Sequence, residues 1–316
     1  MFADRLLLKG AAYGIGAGLC WGVIFLGPQL TPGLNGLQFA VLRFLCYGAI
    51  SAALLIPRWR RVCTLLTLAD WKSLFWLSLI GNLIYYSLVG TGVQLVGIAT
   101  TSLIVGLIPV MVTMAGRNDA NAVSLRKLLP SLTCAVGGVV LISWHALING
   151  DGPDTLTNIG GIACAIGALL TWSWFAVSNA RRLAQIASVS SHDWALLMGI
   201  ITGAQSLLLS VPVLASLPEA HGASQWVHFI LVAGGVALVS SVVGGVCWNQ
   251  ASRLLPLALS GQVLVIETLA ALCFGFMWER RLPDGYELAA IALLLTGVVW
   301  CLNCHRAPYR RPTPSR

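Results

Sequence analysis

The sequence contains few charged residues. Asp, Glu, Lys and Arg make up only 9% of the 316 residues, whereas a soluble domain carries about 25%. Hydrophobic residues make up 57%. The composition therefore excludes an ordinary soluble globular domain and predicts an integral membrane protein.

Acidic residues are especially scarce. Eleven Asp and Glu residues stand against 19 Lys and Arg residues, which gives a formal net charge of +8. A basic excess of this size is also typical of nucleic-acid-binding proteins, but here the basic residues form no continuous patch with interleaved aromatics. They lie between apolar runs instead, so we expect no nucleic-acid partner.

Motifs of enzymes and cofactor-binding proteins are also missing. There is no Gly-x-x-x-x-Gly-Lys-Ser/Thr loop, no metal-ligand constellation of histidines, and no cluster of His, Asp and Glu at a membrane face. "CLNCH" at 301–305 matches the Cys-x-x-Cys-His haem-attachment pattern, but it ends the last apolar run of a chain without a haem-sized soluble domain. We expect no metal, no cofactor and no enzymatic activity, so any active transport must use a gradient.

Long apolar runs are abundant. A helix needs about 20 apolar residues to cross the hydrocarbon core. No charge interrupts residues 73–116, and only Gly90, Gly92, Gln94 and Gly97 mark a turn there. Charged and turn residues divide the chain into ten predicted spans, at 10–29, 36–56, 72–90, 97–116, 128–147, 158–179, 194–216, 226–249, 255–277 and 287–305.

The positions of Lys and Arg predict the orientation of these spans. With the N-terminus in the cytoplasm, the basic residues outside the spans fall on the inside, except Arg280 and Arg281. The predicted outer loops carry acidic residues such as Asp151, Glu219 and Asp284. Both termini are then cytoplasmic.

A sequence repeat indicates how the spans are organised. "IGAGLCW" at 15–21 returns as "IGALLTW" at 166–172, and the order of further matches favours a duplication. Five spans per copy place the second copy upside down, as in many secondary transporters. We expect an all-α integral membrane fold with one five-helix repeat at 1–150, an inverted one at 151–305, and a basic cytoplasmic tail at 306–316.

Several short motifs resemble those of the EamA-type transporters in the drug/metabolite transporter superfamily. "LRFL" at 42–45 is similar to the family's Arg-Phe pattern, "LIPVM" at 107–111 to its Pro-Val signature, and "VIETL" at 265–269 to the Glu-Pro-Val form, with Thr268 in place of proline. The Gly-Glu-Arg-Leu motif is reduced to "WERRL" at 278–282. The resemblance implies export of a small metabolite, with amino-acid exporters, including the aromatic amino-acid exporter, among similar proteins.

Two charged residues are predicted to lie deep within spans, Arg43 and Glu267. A charge there costs roughly 2.5–3.5 kcal/mol on insertion scales, so such residues normally face a bundle interior or an aqueous cavity. Two interpretations remain open. The pair either locks helices together as structural contacts, or it forms a substrate or proton site.

Aromatic and amide side chains within spans are the other candidates for a midplane cavity between the repeats. For any one aromatic residue, packing between helices or anchoring at the membrane interface is the alternative. The candidates are Trp21, Asn82, Tyr85, Tyr86, Gln94, Trp172, Trp174, Trp248, Asn249 and Gln262.

Four glycines in the first span, Gly10, Gly14, Gly18 and Gly22, recur at intervals of four. This spacing predicts a smooth groove in which a neighbouring helix approaches closely. We expect that neighbour to be a helix of the same chain, with dimerisation as the alternative.

The sequence therefore predicts a secondary transporter of a bacterial-type cytoplasmic membrane. As the resemblance implies, it exports small metabolites, amino acids first among them, by alternating access. Its partners are a small-molecule substrate and the lipid bilayer, while proton coupling and the oligomeric state stay open. The alternatives are an integral-membrane enzyme, which the missing catalytic cluster disfavours, and a channel-like or structural helix bundle.

Overall fold

The structure, a computed structural model, describes residues 2–115, 125–149, 155–186, 188–215, 222–255 and 265–305. Within these ranges the chain is helical and contains no β-strand. Gln262 and the basic tail at 306–316 lie outside the described residues.

The helices of the first half are joined by short connections. Val23–Leu26 and Ile56–Arg58 are 3₁₀ turns, and Leu79–Ile84 is a π-helical segment. The α-helices are α1 (Phe2–Gly22), α2 (Gly27–Leu30), α3 (Gly36–Leu55), α4 (Trp59–Cys63), α5 (Leu68–Ser78), α6 (Tyr85–Val105), α7 (Ile108–Ala115) and α8 (Leu125–Asn149).

The second half is built in a similar way. A π-helical segment, Ala237–Gly244, again interrupts one long helix. The α-helices are α9 (Thr155–Gln185), α10 (Ser191–Ala215), α11 (Ala223–Val236), α12 (Gly245–Leu254), α13 (Val265–Glu279) and α14 (Gly285–His305).

Seven helical stretches of the described chain are long and apolar enough to cross a membrane. One of them, Leu68–Val112, has 45 residues and at 1.5 Å per residue is about twice as long as a hydrocarbon core of roughly 30 Å requires. Gly97 breaks this stretch with φ 80° and ψ 169°, a conformation that glycine adopts without a Cβ penalty. The chain is thus an all-α membrane protein.

The sequence and the structure differ just before the helix that carries Glu267. We expected a span over 255–277 with Glu267 near its middle, but Leu255 is extended, with φ −106° and ψ 144°, and caps α12. The described part of the next helix begins at Val265, which places Glu267 in its first turn. The residues that follow Arg253 are largely apolar, so the sequence places the start of the next span at Leu255, next to the last residue of α12, Leu254.

Helices of the two halves pack against one another in matching pairs. Helix α3 packs along α10 and α8 along α14, while α1 packs on α12 and α13 and α9 packs on α6. Gly48 and Gly203 bring α3 and α10 together, because a Cβ on either glycine would lie 2.6 Å from the Cα of the other. Small residues at such a crossing allow close backbone approach.

The glycine groove of α1 faces the second half of the same chain. A Cβ at Gly10 would lie 2.8 Å from the Leu255 side chain, one at Gly18 would lie 2.9 Å from the Glu267 backbone nitrogen, and one at Gly22 would lie 2.6 Å from the Ala270 Cβ. This confirms intramolecular packing for these three positions. The packing brings α1 directly against the turn that holds Glu267.

Candidate functional site

Three indole rings meet in the interior of the bundle. The ring centroids of Trp21 and Trp172 are 5.5 Å apart, those of Trp21 and Trp248 are 5.6 Å apart, and those of Trp172 and Trp248 are 5.3 Å apart. All three side chains are buried. Because Trp21 comes from the first half and the other two from the second, the cluster joins the two halves.

Further aromatic rings extend this cluster. The Tyr85 ring lies 6.1 Å from that of Trp172 and 4.5 Å from that of Tyr86, and the Phe175 ring lies 5.6 Å from Trp172. Edge and tilted contacts at these distances are the favoured arrangements of aromatic pairs. Together the rings form a rigid, largely apolar wall.

A buried guanidinium group lies beside this wall. Arg43 is 1% exposed, its Cζ lies 4.1 Å from the centroid of the Tyr86 ring, and its Nη2 donates to Ser241 Oγ at 2.8 Å. Its Nε is buried and has no hydrogen-bond partner in the described part of the chain. The cation is thus held from one side by a ring face and a hydroxyl group.

Glu267 supplies the opposite charge in the same region. The residue is 4% exposed, and it interacts electrostatically with Arg43, Tyr85 and Tyr86. In the described chain Arg43 takes part in no ion pair within 4.0 Å. Arg43 and Glu267 therefore attract each other over a longer distance, without direct contact. The first turn of α13 also places the carboxylate near the positive end of a helix dipole.

The two π-helical segments hold polar groups at this site. The segment Leu79–Ile84 carries Asn82, whose Nδ2 donates to Thr202 Oγ1 at 2.9 Å. The segment Ala237–Gly244 carries Ser240 and Ser241, and the Ser240 carbonyl accepts from Trp21 Nε1 at 2.9 Å. A π segment widens the helix and changes its hydrogen-bond pattern, which explains its frequent occurrence at functional sites.

A cavity of about 30 Å³ lies among these groups. That volume suffices for a water molecule, which needs roughly 10–15 Å³, but not for a metabolite. It is lined by Trp21, Arg43, Tyr47, Asn82, Tyr86, Trp172, Phe175, Ala195, Met198, Ser240, Ser241, Gly245, Trp248 and Asn249. The site therefore has to widen before it accepts a ligand.

Polar contacts close the bundle on the side where α9 ends and α10 begins. Trp194 Nε1 donates to Asn179 Oδ1 at 2.9 Å, and Asn179 Nδ2 donates to Asn249 Oδ1 at 3.1 Å. Nearby, Arg182 forms an ion pair with Asp70 across the two halves. These contacts separate the cavity from that end of the molecule.

The opposite end is open. A cleft of about 710 Å³ enters the bundle there, and Arg281 lies at its rim with bidentate bonds to Glu287 at 2.6 and 2.7 Å. Those bonds raise the pKa of the Arg281 guanidinium, so it stays charged. His145 on α8 contacts Asp284 at 2.9 Å. The cleft thus has a charged rim built by both halves.

Two predicted candidates fall outside the cluster. Trp174 is 43% exposed, because two residues along a helix rotate a side chain about 200° from that of Trp172. Gln94 is exposed and donates to the Leu34 carbonyl at 2.7 Å. Gln262 lies outside the described residues. The other candidates lie at or next to the buried cluster, with Asn249 on the closed side.

Sequence reasoning missed several residues of the site. Tyr47 donates to the Ala195 carbonyl at 2.6 Å beside the cavity, and Ser240 and Ser241 line it. Serine hydroxyls within apolar runs are common, so only the π segment distinguishes these two. In the described chain, no group of three or more His, Cys, Asp or Glu side chains is placed to hold a metal ion.

Comparisons with known proteins agree with this architecture. The profile of the EamA-like transporter family matches residues 8–144. The chain is 31% identical over 311 residues to "Inner membrane protein YtfF" of Escherichia coli (strain K12), covering 93% of this chain and 94% of that protein. A solved structure described as "Crystal structure of protein" is similar in fold, with a TM-score of 0.63 at 19% identity, over 94% of this chain and 99% of the other.

Proposed function

The chain belongs to the EamA-like transporter family, and from this premise we propose that it is a secondary transporter that exports small metabolites, amino acids first among them. It does so by alternating access across the inner membrane. Membership of this family and similarity to an inner membrane protein favour a transporter over an enzyme.

The observation that carries the proposal is the buried site between the halves. It combines one cation, Arg43, and one acid, Glu267, with three indole rings. Charges buried within membrane helices are costly and typically mark a substrate or ion pathway. A zwitterion with an apolar body, such as an amino acid, matches both the charges and the rings.

We propose ten membrane crossings in two inverted repeats, with both termini in the cytoplasm. Support comes from the helix pairing, in which α3 with α10 and α8 with α14 join equivalent helices of each half. The π segments Leu79–Ile84 and Ala237–Gly244 also fall in the third crossing of each half. The break at Gly97 divides one long helical stretch into two. These two parts are the proposed third and fourth crossings.

Alternating access accounts for the difference between the two ends. In the proposed orientation the cleft of about 710 Å³ faces outward, and the Asp70–Arg182 pair closes the cytoplasmic side. Transport then requires the opposite state, in which the cytoplasmic contacts break and the cleft closes. A bound substrate can compensate for the loss of these cytoplasmic contacts.

Glu267 is the proposed coupling residue. Protonation removes its charge at one stage of the cycle, and the ionised form attracts a substrate ammonium group at another. Arg43 remains charged throughout and suits anchoring rather than proton exchange.

The test is transport by the purified full-length protein in liposomes. Radiolabelled amino acids, with aromatic and branched members, are loaded inside, and counterflow is compared with that of protein-free liposomes. We expect saturable counterflow of at least one amino acid that falls to background in a double variant, Trp21→Ala with Trp172→Ala. Counterflow at the protein-free level for the whole panel would refute the proposed function.

A further inference from the structure

We propose that Arg43 and the indole nitrogen of Trp248 together bind the carboxylate of the transported molecule. This assigns a substrate class, monocarboxylates with an apolar body, to the site between the halves. The inference rests on the proposed function, because it requires that a substrate reaches this site.

Two buried N–H donors at the cavity have no hydrogen-bond partner among the residues that the structure describes. They are Arg43 Nε and Trp248 Nε1, on side chains that are 1% and 2% exposed, and both residues line the same cavity. A buried donor without an acceptor is destabilising and rare in folded proteins. Two such donors at one cavity indicate an acceptor that binds there.

The rest of the Arg43 side chain is already held in place. Nη2 donates to Ser241 Oγ, and Cζ lies 4.1 Å from the centre of the Tyr86 ring. These contacts orient the group without using Nε. A guanidinium fixed in this way offers a preorganised donor edge to a planar carboxylate.

The charge of the site selects a single negative group. Among the described residues that line the cavity, Arg43 is the one cation, and Glu267 already adds an opposing charge nearby. A phosphate, with a charge near −2, would leave an excess negative charge in a region where burial makes charge costly. A carboxylate balances Arg43 alone, and a substrate ammonium group can balance Glu267.

The aromatic wall determines where the rest of the molecule lies. Trp248 contacts both Trp21 and Trp172 at ring distances of 5.6 and 5.3 Å. A carboxylate on the Trp248 nitrogen therefore places the apolar body against these two rings. Trp21 Nε1 already donates to the Ser240 carbonyl, so Trp21 offers a ring face rather than a donor.

The experiment compares matched compounds that differ only at the head group. For an aromatic body these are L-phenylalanine, 3-phenylpropionate, L-phenylalaninamide and phenethylamine; for a branched body they are L-leucine, 4-methylpentanoate, L-leucinamide and isoamylamine. Binding to the detergent-purified full-length protein is followed by thermal stabilisation and tryptophan fluorescence. Transport of each compound is measured separately in liposomes.

We expect the carboxylates of at least one series to bind about tenfold or more tightly than the matching amide and amine. This ratio of affinities corresponds to the loss of one hydrogen bond to a charged group. Trp248→Phe keeps a ring but removes the donor, and Arg43→Lys keeps the charge but removes the planar fork. Each should reduce carboxylate affinity about tenfold and leave amine and amide affinities unchanged. Trp174→Phe and Arg60→Gln, at exposed positions, are the matched controls.

The outcomes separate the two proposals. Equal binding of carboxylates, amides and amines, or equal losses for all three in the Trp248→Phe and Arg43→Lys variants, would overturn the carboxylate site, as would the absence of carboxylate binding. Transport of amines or amides without carboxylate selectivity would do the same while leaving the transporter function intact. Selective carboxylate binding without counterflow would support the site and refute the transport function.

Discussion

The indole rings of Trp21 and Trp172 lie 5.5 Å apart, edge to face, inside the bundle. The two residues end matching heptapeptides that are 151 positions apart in the chain. In the proposed duplication, equivalent residues meet only close to the axis that relates the two copies. The contact therefore agrees with a substrate site at the junction of the two halves, which the proposed alternating access requires.

The first prediction concerns this pair of rings. Trp172→Leu keeps an apolar side chain but removes the aromatic contacts with Trp21 and Trp248, so counterflow should fall about two- to tenfold, as expected for aromatic pairs worth roughly 0.5–1.5 kcal/mol. Trp174→Leu changes the same residue type at a position that is 43% exposed and should retain normal counterflow. Equal losses in the two variants would argue against a specific role for the ring cluster.

The second prediction concerns the glycine groove of α1. A Cβ at Gly18 would lie 2.9 Å from the backbone nitrogen of Glu267, so Gly18→Leu should separate α1 from α13 and destabilise the protein by about 1–3 kcal/mol. The measurement is thermal unfolding in detergent together with the yield of monodisperse protein. Gly235→Leu is the control, because a Cβ there meets nothing within 4 Å. A Gly18→Leu protein as stable as the control variant would contradict this packing.

The third prediction concerns membrane orientation. In a variant without native cysteines, single cysteines introduced beside Asp151 and Glu219 should react with an impermeant reagent added to intact cells. Cysteines beside Arg126 and Arg181 should react only after the cells are opened, since basic residues stay on the cytoplasmic side. Labelling in the reverse pattern would reject both the orientation and the inverted arrangement of the repeats.

The fourth prediction concerns the Asp70–Arg182 pair, which connects the two halves at the closed end. Asp70→Asn removes one partner and leaves the Arg182 charge without its ion pair, so the closed end should open more readily. A single cysteine at Asn179 should then react about five times faster or more with a thiol reagent, a shift within the usual range of conformational coupling.

A charge swap tests whether the pair itself is responsible. Asp70→Arg combined with Arg182→Asp restores opposite charges and should slow labelling at Asn179 toward the wild-type rate. If the swap labels as fast as Asp70→Asn alone, the ion pair does not hold this end closed.

The fifth prediction concerns Glu267. Glu267→Gln keeps the shape of the side chain but cannot ionise. The protein should therefore fold and insert while losing most of its gradient-driven transport, because an amide neither releases a proton nor carries a charge for a substrate ammonium group. Transport is measured in liposomes with an imposed pH gradient and is normalised to inserted protein. Glu279→Gln, at the other end of the same helix, should retain the response to the gradient. Normal rates and normal pH dependence in Glu267→Gln would exclude it as a proton carrier or required substrate charge.

Much of the membrane architecture follows from the sequence by itself. Low charge, apolar runs of about 20 residues and the repeated heptapeptide predict an all-α membrane protein, because the bilayer leaves the backbone few alternatives to helices. The glycine spacing of α1 predicts close helix packing, and the structure confirms it at Gly10, Gly18 and Gly22. The buried positions of Arg43 and Glu267 follow from the cost of placing a charge in lipid.

The faces of individual helices were decided only by the tertiary structure. Trp172 and Trp174 belong to the same apolar run, yet one is 2% and the other 43% exposed, since uniform apolar composition carries no signal of which face meets lipid. The π segments, the extended Leu255 and the Asn179–Asn249 contact likewise depend on neighbouring helices. The local sequence determines that each segment forms a helix in the membrane. Packing against distant parts of the chain determines how each helix is rotated and where it breaks, and therefore which side chains meet at the site.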